Sequence, residues 1–373
     1  MSKKVLFLNL VAFTKNGGIE RFNKCFLKAL NDLDDTGNTI SASLSAYDND
    51  VNTAYYQQTK YKGFNKNKGL FVIASLFKAS QFDIIFLAHI NLAMVGVLIK
   101  KLFPSKKVVL ITHGIEVWKP LTGIKAKVLS VCDLIISVSD FTRQKLVKEN
   151  SVPIDKIKVF PNTIDPYFPL PEMLRKDNSL RNRYGIGKDD FVLYTLTRLA
   201  NTEAFKGYDN VIATMGRVVA KYPYAKYVIG GKYSDEEKTR VDKLVKEYGL
   251  ENNIILTGFL DEEELVAHYQ MADLYIMPSK KEGFGIVFIE ALVCGLPVIA
   301  GNADGSVDAL KGGELGTLVN PDSIDELEGA IVTHIDKDIR SDVKRSERLK
   351  MLTLDSFSFD RYKERLKNII AAC

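Results

Sequence analysis

The stretch KEGFGIVFIEALVCGLPVIA, residues 281–300, holds two carboxylates, Glu282 and Glu290, on either side of Gly283, Phe284, Gly285, Ile286 and Val287. Its turn residues and apolar run predict a loop over 280–285, a helix from about Ile286 to Val293, a Gly-Leu-Pro turn and a strand at Val298–Ala300. Glu282 then sits just before a helix N-terminus, and Glu290 lies inside the helix. Unpaired N–H groups at such an N-terminus favour an anion, and Gly283 and Gly285 leave room for close approach. The chemistry implied is that of a phosphate-bearing ligand with one carboxylate beside each end.

The elements that must position these groups alternate along the whole chain. In the first half the runs KVLFLNL, ISASLSAY, DIIFLAH, KVVLITH and LIISVS read as strands, with helices near 19–30, 70–79 and 92–102 between them. Several runs are continuously apolar, as in a parallel sheet covered on both faces. The segment VFPNTIDPYFPLP carries four prolines and reads as a linker. A second series follows, FVLYTLTRL, AKYVIGG, NIILTGF, LYIMPS, PVIAG and GTLVN, with helices near 208–221, 235–248 and 261–272. A charged run at 336–350 precedes a last helix at 359–372. The expected fold is α/β, two doubly wound Rossmann-like domains facing across a cleft, with the C-terminal helix crossing back to the first domain. The domains are placed at 1–164, with about 357–373 returning to it, and at 165–356. Ligands in open α/β sheets sit at strand C-termini, which singles out Gly17, Gly18, His89, His113, Arg198, Lys206, Gly230 and the loop holding Glu282.

Bulk properties narrow the class. At 373 residues two domains are expected, and 46% hydrophobic with 26% charged residues is ordinary for a globular protein. No apolar run approaches the roughly 20 residues of a membrane span, and the start MSKKVLFLNLVAFTKNGG offers no cleavage pattern, so a cytoplasmic location is expected. Cys25, Cys132, Cys294 and Cys373 lack metal-ligand spacing, so neither a metal nor a disulfide framework is expected. Charge is uneven: 23 basic minus 12 acidic residues leaves +11 over 1–164, and 28 minus 34 leaves −6 over the rest. A basic first half attracts anionic surfaces. The lysine- and phenylalanine-containing segment at 60–78 reads two ways, as a helix lying on an anionic membrane or as a core helix with solvated lysines.

Taken in order, Gly17-Gly18, THGIEVW at 112–118, PNTID at 161–165, TRL followed by Lys206-Gly207, GGK, LTGF, ADLYIMPS and EGFG-x4-E span nearly the whole chain. This ordered set resembles the retaining glycosyltransferases of family 4, which have the two-domain GT-B fold. The resemblance implies that Glu290 holds the ribose of a nucleotide-sugar donor and that Glu282 contacts hydroxyls of the transferred hexose. It implies further that Phe284, Gly285, Ile286 and Val287 present backbone to the diphosphate and sugar. Arg198 and Lys206 would grip the diphosphate and stabilise the leaving group in place of a metal. Gly17, Gly18 and Gly230 would lie along the donor, and His113 would face the reactive region of the sugar. The implied activity is that of a metal-independent hexosyltransferase using a UDP or GDP sugar, with no further cofactor. Two departures stand out: PNTID has a β-branched Thr163 where the family commonly has glycine, and residues 301–306 read GNADGS in place of a glycine-rich segment ending in Pro-Glu.

Several positions stay open between a functional and a packing role. Glu116 is an acceptor-site carboxylate or a helix-start glutamate. Trp118 stacks on an acceptor sugar or fills core. His89 ends a strand as His113 does, but matches less of the motif. The basic half points to an anionic or membrane-anchored acceptor, such as a polyprenyl-linked saccharide or another glycolipid, with peripheral contact at the inner face of the cell membrane. Rival readings are a NAD-dependent dehydrogenase, for which a G-x-G-x-x-G after a strand is missing, and a non-catalytic sugar-nucleotide or lipid-binding module derived from such an enzyme. Nucleic-acid binding has no supporting motif.

Overall fold

The computed structural model describes residues 2–174, 178–337 and 343–373, so part of the charged run at 336–350 lies outside the described residues. The chain divides into two compact units, Met1–Tyr167 with Phe357–Cys373, and Phe168–Ser356. Among the described residues no helix is long and apolar enough to cross a membrane.

Unit 1 opens with β1 (Lys3–Asn9), α1 (Gly18–Asp35), β2 (Thr39–Ser45) and β3 (Tyr61–Gly63). It continues through α2 (Lys68–Ala79), β4 (Ile84–Leu87), α3 (Ala93–Leu102), β5 (Lys107–Thr112) and α4 (Gly123–Val131). Then come β6 (Leu134–Ser137), α5 (Asp140–Asn150) and β7 (Ile157–Val159). The seven strands form one sheet in the order β3-β2-β1-β4-β5-β6-β7, every pair parallel. Val5, Leu6, Phe7 and Leu8 are all fully buried, as a continuous apolar run requires when helices cover both faces. Leu6 and Leu8 point into a core shared with α2, α3, α4 and α5. On the opposite face Phe7 stacks on Phe26 of α1 at 4.6 Å between ring centroids.

Unit 2 begins with α6 (Asn178–Arg183), β8 (Phe191–Leu196), α7 (Tyr208–Lys221), β9 (Ala225–Gly230), α8 (Asp235–Glu247) and β10 (Ile254–Gly258). There follow α9 (Leu265–Met271), β11 (Leu274–Met277), α10 (Ile286–Val293) and β12 (Val298–Gly301). Last are α11 (Ser306–Ala309), β13 (Thr317–Val319), α12 (Ile324–Asp336) and α13 (Val343–Phe357). Its six parallel strands run β10-β9-β8-β11-β12-β13. Arg181 is buried beneath this sheet, donating to the carbonyls of Met271, Gly187 and Asp190 and lying 3.7 Å from Asp273.

The chain then leaves unit 2, and α14 (Phe359–Ala372) packs on α1 of unit 1. Phe22 and Phe160 both meet Tyr362 of this helix, at 6.1 and 4.3 Å between centroids. The β-branched residue of PNTID has its use here. Thr163 is buried, its hydroxyl donates to the carbonyl of Phe357 at 2.9 Å, and the Ile164 N–H donates to the same oxygen at 3.0 Å. A glycine would supply the second bond but not the first. The unit boundary falls at Tyr167, inside the segment expected to link the domains. One element is shorter than its pattern implied: the helix expected over 261–272 is a 3-10 turn at Glu262–Glu264 and an α-helix only from Leu265 to Met271.

Candidate functional site

In each unit the strand order reverses at one place, and there adjacent strands send their following loops apart, which opens a crevice at their C-terminal ends. In unit 2 this place lies between β8 and β11. The loop after β8 delivers Lys206 and the loop after β11 delivers Glu282, and the two side chains form an ion pair, 18% and 14% exposed respectively. The loops are locked together by their backbones. Gly207 has φ +83°, and a Cβ there would lie 2.3 Å from the Pro278 carbonyl oxygen, so a side chain has no place at this junction. The Lys280 N–H also donates to the Phe205 carbonyl at 2.9 Å.

Glu282 leads directly into α10. Gly285 occupies the N-cap position in the left-handed region and provides no side-chain cap, which leaves the helix N-terminus to attract an anion. Phe284 is buried and anchors this turn from below. Glu290 is 1% exposed, and its carboxylate accepts from the Tyr269 hydroxyl at 2.9 Å. It is therefore no solvated helix glutamate; a buried carboxylate needs such a partner. Gly230 ends β9, where a Cβ would meet Leu260 and Tyr194 within 3 Å. Arg198 does not join Lys206 in this arrangement. Its guanidinium faces Glu203 at 3.3 Å and its side chain is 65% exposed.

Sequence patterns did not single out Asp304, which the structure places beneath Glu282. Asp304 is fully buried and accepts from the Glu282 N–H at 2.7 Å, the Ser279 hydroxyl at 2.6 Å and the Ser306 N–H at 2.9 Å. The Gly305 N–H closes the ring on the Glu282 carbonyl at 2.8 Å. The departure at 301–306 thus supplies a carboxylate that fixes the backbone of the loop. Burial pushes the Asp304 carboxyl up to about 6, against the pull of its donors. Between the ordinary carboxylate value and about 6 the unfolded chain has lost this proton while the folded chain keeps it, so this group makes stability fall as pH rises through that window. Asp304→Asn is expected to remove that slope, an effect of up to about 3 kcal/mol. Denaturant unfolding of both proteins from pH 4 to 7 checks it, and parallel stability–pH curves would refute the assignment.

In unit 1 the reversal lies between β1 and β4. The loop after β1 carries Gly17 and Gly18, with Gly18 opening α1 and no heavy atom within 4 Å of where its Cβ would stand. This loop is held by a residue that sequence reasoning missed. Asp48, fully buried, accepts from the N–H groups of Ala12 at 2.7 Å and Thr14 at 3.0 Å, and from the hydroxyls of Thr14, Ser45 and Tyr61 at 2.8 Å each. Burial alone would raise its carboxyl; the donors from Ala12, Tyr61 and Thr14 outweigh that and hold it below the usual range.

His113 follows β5, and its Nε2 lies 2.7 Å from the Ala88 carbonyl oxygen. A carbonyl only accepts, so Nε2 carries the proton and Nδ1 keeps its lone pair. The His89 ring lies nearly parallel, 6.1 Å away, with Nδ1 accepting from the Asn91 N–H. Burial, then the neighbouring His113, pushes the His89 ring down to about 4, and burial lowers His113 as well. Glu116 accepts from the His113 backbone N–H at 2.5 Å and so braces the loop itself. Trp118 donates from its indole N–H to the Thr142 hydroxyl at 3.0 Å and packs edge-on to Phe141, which ties it to the core of unit 1.

The family model for group 1 glycosyl transferases matches residues 176–350, and that for glycosyltransferase family 4 matches residues 48–168. A GDP-mannose-dependent α-(1-6)-phosphatidylinositol monomannoside mannosyltransferase of Mycolicibacterium smegmatis is 29% identical over 255 residues, 64% of this chain and 63% of that protein. Mannosylfructose-phosphate synthase of Agrobacterium fabrum is 29% identical over 51% of this chain and 42% of its own length. The chain thus spans less than two thirds of these curated relatives. Among solved structures, Anabaena HepE in complex with UDP superposes with a TM-score of 0.80 at 20% identity, over 99% of this chain and 100% of that one. Sucrose-phosphate synthase of Thermosynechococcus elongatus gives 0.76 at 17% identity over the full length of both. With two matching models that follow one another along the sequence, and a fold shared over its whole length, the chain belongs to the family 4 glycosyltransferases and has their GT-B fold.

Proposed function

We propose that this protein transfers a hexose from a nucleoside diphosphate sugar to an acceptor hydroxyl with retention of configuration, in the assembly of a cell-surface polysaccharide or glycolipid. The observation that carries the reading is the Lys206–Glu282 pair at the crevice of unit 2, directly before the uncapped N-terminus of α10. A diphosphate that enters there finds a fixed cation and backbone N–H groups, and needs no metal to balance its charge. Lys206 exchanges its carboxylate for the donor phosphate, which frees Glu282 to bind hydroxyls of the transferred sugar. Glu290 holds the ribose, and Arg198 swings from Glu203 to the diphosphate.

In the reaction the bond from the anomeric carbon to the phosphate oxygen breaks, and the acceptor oxygen bonds to the same face. The acceptor's proton passes to the leaving phosphate. Lys206 and the α10 N-terminus stabilise the charge that grows there. His113 is neutral above its lowered pKa, so what it offers at the end of β5 is a hydrogen-bonding group and not a cation. Two names support the donor class: the mycolicibacterial relative uses GDP-mannose, and Anabaena HepE binds UDP. The acceptor is proposed to be carried on lipid, because that relative acts on a phosphatidylinositol mannoside and residues 1–164 are strongly basic. The enzyme then works at the inner face of the cell membrane.

Thermal unfolding with saturating UDP, GDP, ADP and NAD tests the donor site. One nucleoside diphosphate is expected to raise the melting temperature, by about 3 kcal/mol of stabilisation at a hundredfold excess over its dissociation constant. The rise should persist in EDTA. A rise with NAD alone would sink the reading.

A further inference from the structure

α2 is apolar on every side. Phe71, Ser75 and Ala79 face the core of unit 1, and Val72, Ala74 and Leu76 are half-buried at the flanks. Its outward stripe is nevertheless Leu70, Ile73 and Phe77, exposed at 55%, 66% and 69%. A helix hydrophobic all round belongs with an apolar environment on both sides, whereas a surface helix carries polar residues outward. α1 of the same unit is polar where it nears solvent, with Lys24, Lys28 and Asn31 half-buried and Asp35 exposed. Single exposed apolar side chains are ordinary; three in one stripe are not.

The stripe is built to stay outward. The Asn67 side chain caps the Leu70 N–H at 3.1 Å, and Phe64 packs edge-on against Phe71. On the adjoining α3, Met94 is 51% exposed, and Ile124 on α4 is 46% exposed. The charge around them is mostly positive, although Lys60 pairs with Asp34, and Lys100 and Lys107 with Asp133. From 60 to 131 the sequence holds 12 lysines and no arginine against two acidic residues, Asp83 and Glu116. Lys62, Lys66 and Lys68 precede the stripe, Lys78 ends it, and Lys101 and Lys127 lie exposed on or beside the neighbouring helices.

We propose that the α2–α3–α4 face of unit 1 docks on an anionic lipid surface, with Leu70, Ile73 and Phe77 inserted among the acyl chains and the lysines among the headgroups. The proposal rests on the lipid-carried acceptor above and deepens it by naming the surface. An apolar stripe ringed by lysines fits a bilayer, where depth is apolar and the rim is anionic. A soluble acidic partner would match the lysines but leave Phe77 without a place.

Flotation with vesicles of pure phosphatidylcholine, and of phosphatidylcholine mixed equally with phosphatidylglycerol, tests this without donor or acceptor, so its failure is separate from any failure of sugar transfer. The wild type should partition to the anionic vesicles alone. Phe77→Glu should weaken that partitioning at least about tenfold. Each of Lys66→Gln and Lys101→Gln should weaken it about fivefold. All three side chains are exposed, so melting temperature and donor hydrolysis should stay at wild-type values. Equal binding to both vesicles, unchanged binding of Phe77→Glu, or a self-association in sedimentation that Phe77→Glu abolishes without any vesicle binding would overturn the proposal.

Discussion

Lys206→Ala should lower kcat about 10²- to 10³-fold with the fold intact. The magnitude is that of removing one preorganised group that stabilises developing charge. In the proposed reaction Lys206 acts on the leaving phosphate, whose charge grows toward the transition state, so kcat and kcat/KM should fall together. The pair is largely buried, so removing one partner leaves the other charge partly desolvated, and the unfolding midpoint is measured beside turnover to separate the two effects. Glu282→Ala should lose turnover on a similar scale by a different route, with the loss following the sugar and not the nucleotide: UDP or GDP alone should bind it as they bind the wild type. Steady-state kinetics with the donor named by thermal shift decides the matter. Wild-type turnover in either variant would remove both residues from the mechanism.

The second large effect is expected at Asp48. Asp48→Ala strips one acceptor from six donors that converge on it, and leaves the Ala12 N–H and the Tyr61 hydroxyl buried. Breaking such a buried charged network costs about 3–5 kcal/mol. Denaturant unfolding should show the loss in the midpoint, and a change within about 0.5 kcal/mol would mean that water replaces the carboxylate. Asp48→Asn should recover part of it, since an amide keeps one accepting oxygen but turns a donor toward other donors. Because the folded carboxyl is held low, its stabilisation is present above the ordinary carboxylate value and is lost as pH falls below it. The same variants displace the Gly17-Gly18 loop, so turnover should fall in parallel with the midpoint.

What could be read directly from the chain, and what could not, divides along physical lines. The helices at Ile286–Val293, Tyr208–Lys221 and Phe359–Ala372 begin and end where their apolar patterns and caps place them. α5 escaped notice because DFTRQKLVKEN buries only Thr142 and Leu146, too few to show a period. β3 and β7 are three-residue edge strands, shorter than any alternation can reveal. α13 was hidden by its charges, which read as a solvated run. The pairing of Lys206 with Glu282 spans 76 positions, so the motif named both residues but not their contact. Asp48 and Asp304 belong to no pattern at all. Each acts through backbone N–H groups, which every residue has, so only the folded chain shows which carboxylate they meet.

The return of α14 to unit 1 sets an order on biogenesis. Unit 1 consists of Met1–Tyr167 and Phe357–Cys373, while all of unit 2 lies between them. On the ribosome, residues 168–356 are therefore complete and able to close their sheet while the first 167 still await their last helix. Until Tyr362 arrives, Phe22 and Phe160 lack the ring that covers them, and the Phe357 carbonyl is not yet there for Thr163 to grasp. The part synthesised first is finished last, and for that interval its sticky aromatic face is what a chaperone would have to shield.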